Sequence, residues 1–267
     1  MIPDFLSQYK DALKKHARNS ILISEDEIGT LIPDATAITQ SKYLGHFFIP
    51  KTMTFPKGTD GNFLLPTIQI NFEEIPELTG FPNEGLLQVF LPQHANFDKA
   101  DICIQYISKE QLQEPHITDF SFLTEEMYQH HFFKNIYKLS FEKDISWASA
   151  TDSQYLFRWD EIPENETLAD YLEELSWEDE DAYDDLYELF TGDSMGSKIG
   201  GYGYFPNGDL RAISHDIKEH VLLLQIDGSD ENIFSEEQDI YFHLFISKTD
   251  LLNKNFSNVI VDWQITD

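Results

Sequence analysis

The stretch "SKIGGYGYFP", Ser197–Pro206, decides how the chain is read, because "SKYLGHFFIP", Ser41–Pro50, says nearly the same thing 156 residues earlier. At that offset Ser41 falls on Ser197, Lys42 on Lys198, Gly45 on Gly201 and Pro50 on Pro206. The same spacing then carries on downstream. Gln69-Ile70-Asn71 falls on Gln225-Ile226-Asp227, and after a slip of one residue "LLQVFLP" (86–92) falls on "YFHLFIS" (241–247). "ADICIQYI" closes the first set and "NVIVDWQI" the second. Blocks that recur in one order at nearly constant spacing point to an internal duplication. The spacing predicts two repeat units, about 41–107 and 197–264, within a single domain over 1–267.

The blocks read as strands. Leu222-Leu223-Leu224 before Gln225 is a continuous apolar run, as expected of a strand covered on both faces. "KNIYKLSFEKD" (134–144) alternates, with Tyr137, Leu139 and Phe141 on one side and Lys138, Ser140 and Glu142 on the other. Gly200-Gly201 permits positive φ or close backbone approach, and a proline ends each opening phrase.

The N-terminus predicts an amphipathic helix with Ile2, Phe5, Leu6, Tyr9 and Leu13 on one face. Between the units lies a partly helical acidic segment, about 150–193. Leu168, Tyr171, Leu172 and Leu175, then Tyr183, Leu186, Tyr187 and Phe190, recur at helical spacing. They predict two helices broken near 176–179, the first capped by Thr167 with Asp170. The expected fold class is therefore α+β: internally duplicated, mainly antiparallel sheets with peripheral helices.

Composition narrows the function. With 48 acidic against 18 basic residues the net charge is -30, which disfavours nucleic acid and anionic membranes as partners. One cysteine, Cys103, allows no intrachain disulfide, and Asp4, Lys10 and Asp11 interrupt any secretory apolar stretch, so a cytoplasmic setting is expected. From Asp160 to Asp193 there are 15 Asp or Glu and no Lys or Arg. Such a run suits a solvated helix face, or a surface for a basic protein, with Glu173, Glu174, Glu178, Asp179, Glu180, Asp181, Asp184 and Asp185 as the candidate contacts.

No catalytic signature is recognisable. The Gly-x-Ser-x-Gly elbow, the Walker loop, the His-Glu-x-x-His helix and the EF-hand loop are all missing, so no catalytic residue, metal or cofactor is assigned. Polar residues inside the repeated blocks remain. Gln69 and Gln225 sit in apolar strands, where an unsatisfied amide costs about 1–3 kcal/mol. Each either pins the neighbouring Ser-Lys-x-x-Gly loop or meets a ligand. Lys42 and Lys198 open the two phrases in a chain poor in lysine. With Gly200, Gly201, Asp209, Arg211 and Asp227 they complete the candidate ligand-binding set.

The phrases "SKIGGYGYFPNGDLR", "LLLQID" and "IYFHLFISKTDL" resemble the C-terminal signature of the YwqG family, a bacterial family of unknown function. "FPKGTDGNFLLPTIQINFEEIPELTGFPNEGLLQVFL" resembles that family's N-terminal stretch, and the likeness covers roughly residues 25–265. The first unit departs from the family's glycine pair with Leu44-Gly45, and the second has Gly203 where the family has proline. The resemblance implies an internally duplicated α+β fold, carries no activity, and places some relatives near toxin–immunity genes. The expectation is a protein-binding module, of immunity or accessory type, for a basic partner. The alternative is a small-ligand-binding protein or enzyme using a cleft between the repeat units.

Overall fold

Two long strands that pair along their whole length set the frame. In the computed structural model, β1 (Arg18–Gly29) and β6 (Ile136–Ser146) run antiparallel from Arg18↔Ser146 to Gly29↔Ile136. The structure describes residues 4–29, 34–93, 101–129, 131–157, 164–167, 170–171, 173–174, 177, 180–230, 233–234 and 239–266. On the β6 side lie β2 (Lys42–Tyr43), β3 (Leu65–Asn71), β4 (Leu86–Leu91) and β5 (Cys103–Ile107). On the β1 side lie β7 (Lys198–Gly200), β8 (Val221–Asp227), β9 (Asp239–Ile246) and β10 (Ile260–Thr266). The sheet order β10-β9-β8-β7-β1-β6-β2-β3-β4-β5 is a palindrome about the central pair.

This corrects the expected class. The fold is a single ten-stranded antiparallel sheet curled into a half-barrel, with few and short helices, and not an α+β arrangement of sheets with peripheral helices. Among the described residues the named helices are Lys10–His16, Glu180–Phe190, Leu210–Ile213 and Lys248–Leu252, with residues 170–171, 173–174 and 177 also helical, apart from short 3-10 turns. Between Asp170 and Phe190 the described residues of the acidic segment are helical as the spacing predicts, but ten strands in one sheet outweigh them, and β1 hides from pattern reading. Its second half, "SEDEIG", is largely exposed and charged, yet the backbone stays extended because β6 supplies hydrogen bonds along its whole length.

Strand alternation separates two chemistries. One face carries Ile21, Ile23, Tyr43, Ile68, Ile70 and Val89, continued by Leu224, Ile226, Phe242 and Leu244, in a single core that crosses both segments. The curl closes that core end to end. Tyr106 of β5 stacks on Phe256, just before β10, at 4.9 Å between ring centroids, and Lys254 Nζ reaches Glu84 at 2.7 Å. A smaller cluster joins Leu6 and Leu13 of the N-terminal segment to Leu186, Leu189 and Phe190 of the acidic helix. Thr167 and Asp170 cap as the sequence suggests: Thr167 Oγ1 donates to Asp170 and Asp170 N–H donates back, at 2.7 and 3.1 Å. The break near 176–179 falls mostly outside the described residues; of these positions only Trp177 is described. Among the described residues no helix is long and apolar enough to cross a membrane.

Candidate functional site

The other face of the sheet holds two rows of polar side chains in cross-strand register. The first runs Lys42, Gln69, Gln88, Gln105 across β2 to β5; the second runs Lys198, Gln225, His243, Asp262 across β7 to β10. Lys42, Lys198, Gln69, Gln225, Gln88 and His243 are all 0% exposed, and apart from His243 Nδ1 their polar groups find partners within the fold.

The two glutamines do the same thing. Gln69 Nε2 donates to the carbonyls of Ile38 and Gln40 at 3.0 and 2.8 Å, and its Oε1 accepts from Phe48 N–H at 3.3 Å. Gln225 Nε2 donates to the carbonyls of Ser194 and Gly196 at 3.0 and 2.8 Å, and its Oε1 accepts from Tyr204 N–H at 2.9 Å. Each amide thus ties the chain before the Ser-Lys phrase to the phrase's own aromatic end. Ser41 and Ser197 add a matched bond, accepting from Asn71 and Asp227 N–H. These amides are bonded inside the fold. Asp227 is turned to the same task, accepting from Gly196 N–H at 2.7 Å.

The lysines differ. Lys42 Nζ donates to Thr36 Oγ1 at 2.6 Å and Ala37 carbonyl at 3.1 Å, with Asp34 at 3.4 Å. Burial lowers its pKa, against the pull of Asp34. Lys198 Nζ donates to the Asp193 carbonyl at 3.0 Å, and burial pushes its pKa down to about 8 against the opposing charge of Asp193. The Asp193 carboxylate is itself occupied by the backbone N–H groups of Trp147 and Ala148.

The glycine pair is a packing device. Gly200 and Gly201 have φ of 70° and 74°, and a Cβ on Gly201 would stand 2.8 Å from Ser20 Cβ. The first loop has the same shape. Leu44 and Gly45 have φ of 58° and 81°, so the missing glycine did not change the turn. A leucine in the left-handed region costs about 1 kcal/mol, which the complete burial of Leu44 offsets.

Asp209 and Arg211 form a buried cluster with a partner the sequence did not reveal. Arg211 Nη2 lies 2.9 Å from both Asp209 and Asp152, and the guanidinium stacks 4.7 Å over Phe245. Burial opposes the Arg211 charge, yet the two carboxylates hold its pKa above the ordinary value. His243 also went unread, although the repeat alignment sets it on Gln88. Its Nε2 lies 2.9 Å from the Tyr204 carbonyl as Gln88 Nε2 lies 2.9 Å from that of Phe48, and burial lowers its pKa to about 4.

A carboxyl bridges the halves. Tyr43 donates to Glu25 Oε1 at 3.1 Å, and Ser197 also bonds that carboxyl. Burial raises its pKa to about 7, with Asp230 and Asp227 adding to the rise.

The acidic contacts lie elsewhere. Glu173, Glu174, Asp184 and Asp185 are exposed. Glu180 and Asp181 open the helix Glu180–Phe190, while Glu178 and Asp179 lie outside the described residues. Among them stands Trp177, 86% exposed, which sequence reasoning passed over as a break between helices. The signal was an aromatic inside "LSWEDED" with no apolar neighbour on its C-terminal side.

The comparisons agree with the span of the repeated blocks. The model of one family, described as "Domain of unknown function (DUF1963)", matches residues 41–265. The chain belongs to that family. The match takes in both Ser-Lys phrases, both glutamine strands and the acidic segment between them. No curated protein matches the chain.

Proposed function

We propose that this DUF1963 chain is a cytoplasmic, internally duplicated protein-binding module that docks a basic protein on its acidic segment, as an immunity-type or accessory protein would. The observation that carries this reading is Trp177, 86% exposed among exposed acids. An indole left in water costs about 2 kcal/mol that a partner's surface recovers by covering it, and Trp is a preferred anchor of protein interfaces. The surrounding carboxylates supply attraction and speed of encounter for a cationic surface. The resemblance to the YwqG family, some of whose relatives neighbour toxin genes, supports the same reading. The matched glutamine cradles support the duplication.

The test is capture by the immobilised protein from bacterial extract, first at low and then at high salt, with mass spectrometry of what is retained. A strongly basic protein should be held by the wild type, released by salt, and lost from W177A. Retention of no basic protein, or retention that W177A leaves unchanged, contradicts the proposal.

A further inference from the structure

Polar side chains in this fold are, for the most part, spent on the protein itself. One groove keeps several of its own uncommitted. A groove of about 680 Å³ opens beside the central strand pair, lined by Asn19 and Ile21 of β1, Lys143 and Ile145 of β6, Trp147 just after β6, and the Glu77–Thr79 turn of the first segment. The register partners Ile21↔Lys143 and Asn19↔Ile145 place these four side chains on one face of the sheet. Gly200 of the second segment closes the corner, where a Cβ would stand 3.1 Å from Leu78.

Among the described residues Asn19, Glu77, Thr79 and Lys143 make no side-chain hydrogen bond or ion pair. The groove thus offers the Lys143 cation, the Glu77 carboxylate, an amide and a hydroxyl, with Asp144 also in its lining. They surround an apolar surface of Leu78, Trp147 and Ile145, which is 44% exposed. The volume falls within the range of small-molecule sites, about 300–1,000 Å³, and the mixture of apolar lining with a few uncommitted polar groups is the usual composition of such sites.

We propose that this groove binds a small zwitterion with apolar side chains, of the short-peptide class, its carboxylate on Lys143 and its ammonium on Glu77. A ligand carrying both charges meets both groove charges with their opposites. A simple anion would face the field of a chain at -30 with only one of them to hold it.

Leucyl-leucine is the probe. Its binding is followed by the indole N–H signal of Trp147, assigned with W147F, and by calorimetry. Leucyl-leucine should move that signal saturably. N-acetyl-leucyl-leucine and leucyl-leucine amide, each lacking one charge, should bind about tenfold more weakly, and so should K143M and E77Q. Both substitutions lie at groups without internal partners, so thermal unfolding of the variants should match the wild type and separate lost binding from lost folding. Absence of a saturable shift up to about 10 mM, or equal affinity for the capped and free peptides, would overturn the assignment.

Discussion

The two polar rows of the sheet have the same backbone and different chemistry. In the first segment the row after Lys42 is all amide: Gln105 Nε2 donates to Gln88 and Gln88 Nε2 to Gln69, both at 2.7 Å. In the second, His243 and Asp262 replace the two outer amides, and the row is no longer a chain of neutral donors and acceptors. A second exchange lies beside it. Phe55 packs edge-on against Phe90 at 5.8 Å, whereas at the equivalent positions of the second unit Arg211 stacks on Phe245, held by Asp209 and Asp152. What both segments retain is the glutamine that ties the loop. What differs is how the surrounding space is filled, with amides and Phe55 in one and with His243, Asp262 and the Arg211 ion pairs in the other. The loop geometry is thus the constant of this architecture, and charge is its variable.

The largest break in that comparison is expected at Arg211. Arg211→Met leaves two buried carboxylates facing each other and should cost about 3–5 kcal/mol in urea unfolding. A cost below about 1 kcal/mol would mean that the cluster is not what holds the second segment.

The lysines should break the comparison more gently and unequally. Lys42→Met removes the cation from the buried Asp34 carboxylate and should cost about 3 kcal/mol. Lys198→Met discards an ammonium whose burial pushes its pKa down to about 8, and should change stability by about 1 kcal/mol or less. Equal costs would show that the two cradles hold their lysines alike.

Glu25 gives a pH signature. Its pKa rises from 4.5 unfolded to about 7 folded, so the native state holds the proton more tightly. Its contribution is complete below about pH 4.5 and is lost as pH rises through about 7, a fall of about 3 kcal/mol. Glu25→Gln should flatten that stretch of the stability profile; a profile unchanged by the substitution would remove Glu25 as the bridge between the segments.

Much of this was legible in the sequence, for identifiable reasons. The repeated phrases, the glutamines within apolar runs and the strand blocks depend on local pattern, which sequence displays directly. Three features did not. β1 is half charged and is extended because β6 pairs with it. Asp152 meets Arg211 across 59 residues of chain. Leu44 takes a glycine's conformation because burial outweighs the strain, a balance that no local propensity contains. Trp177 was visible but unread, since an exposed aromatic gains meaning only once its neighbours are known to leave it in water.

The central claim is that the repeated polar residues build the fold while partner binding lies on the acidic segment. The most direct measurement sets two variants against one captured partner by calorimetry at low salt: E173K/E174K/D184K/D185K, and Q225L at a temperature where it remains folded. The account predicts that the charge-reversed protein unfolds like the wild type and no longer binds, and that Q225L is less stable yet binds with wild-type affinity. Full binding by the charge-reversed protein, with binding lost in folded Q225L, would contradict it.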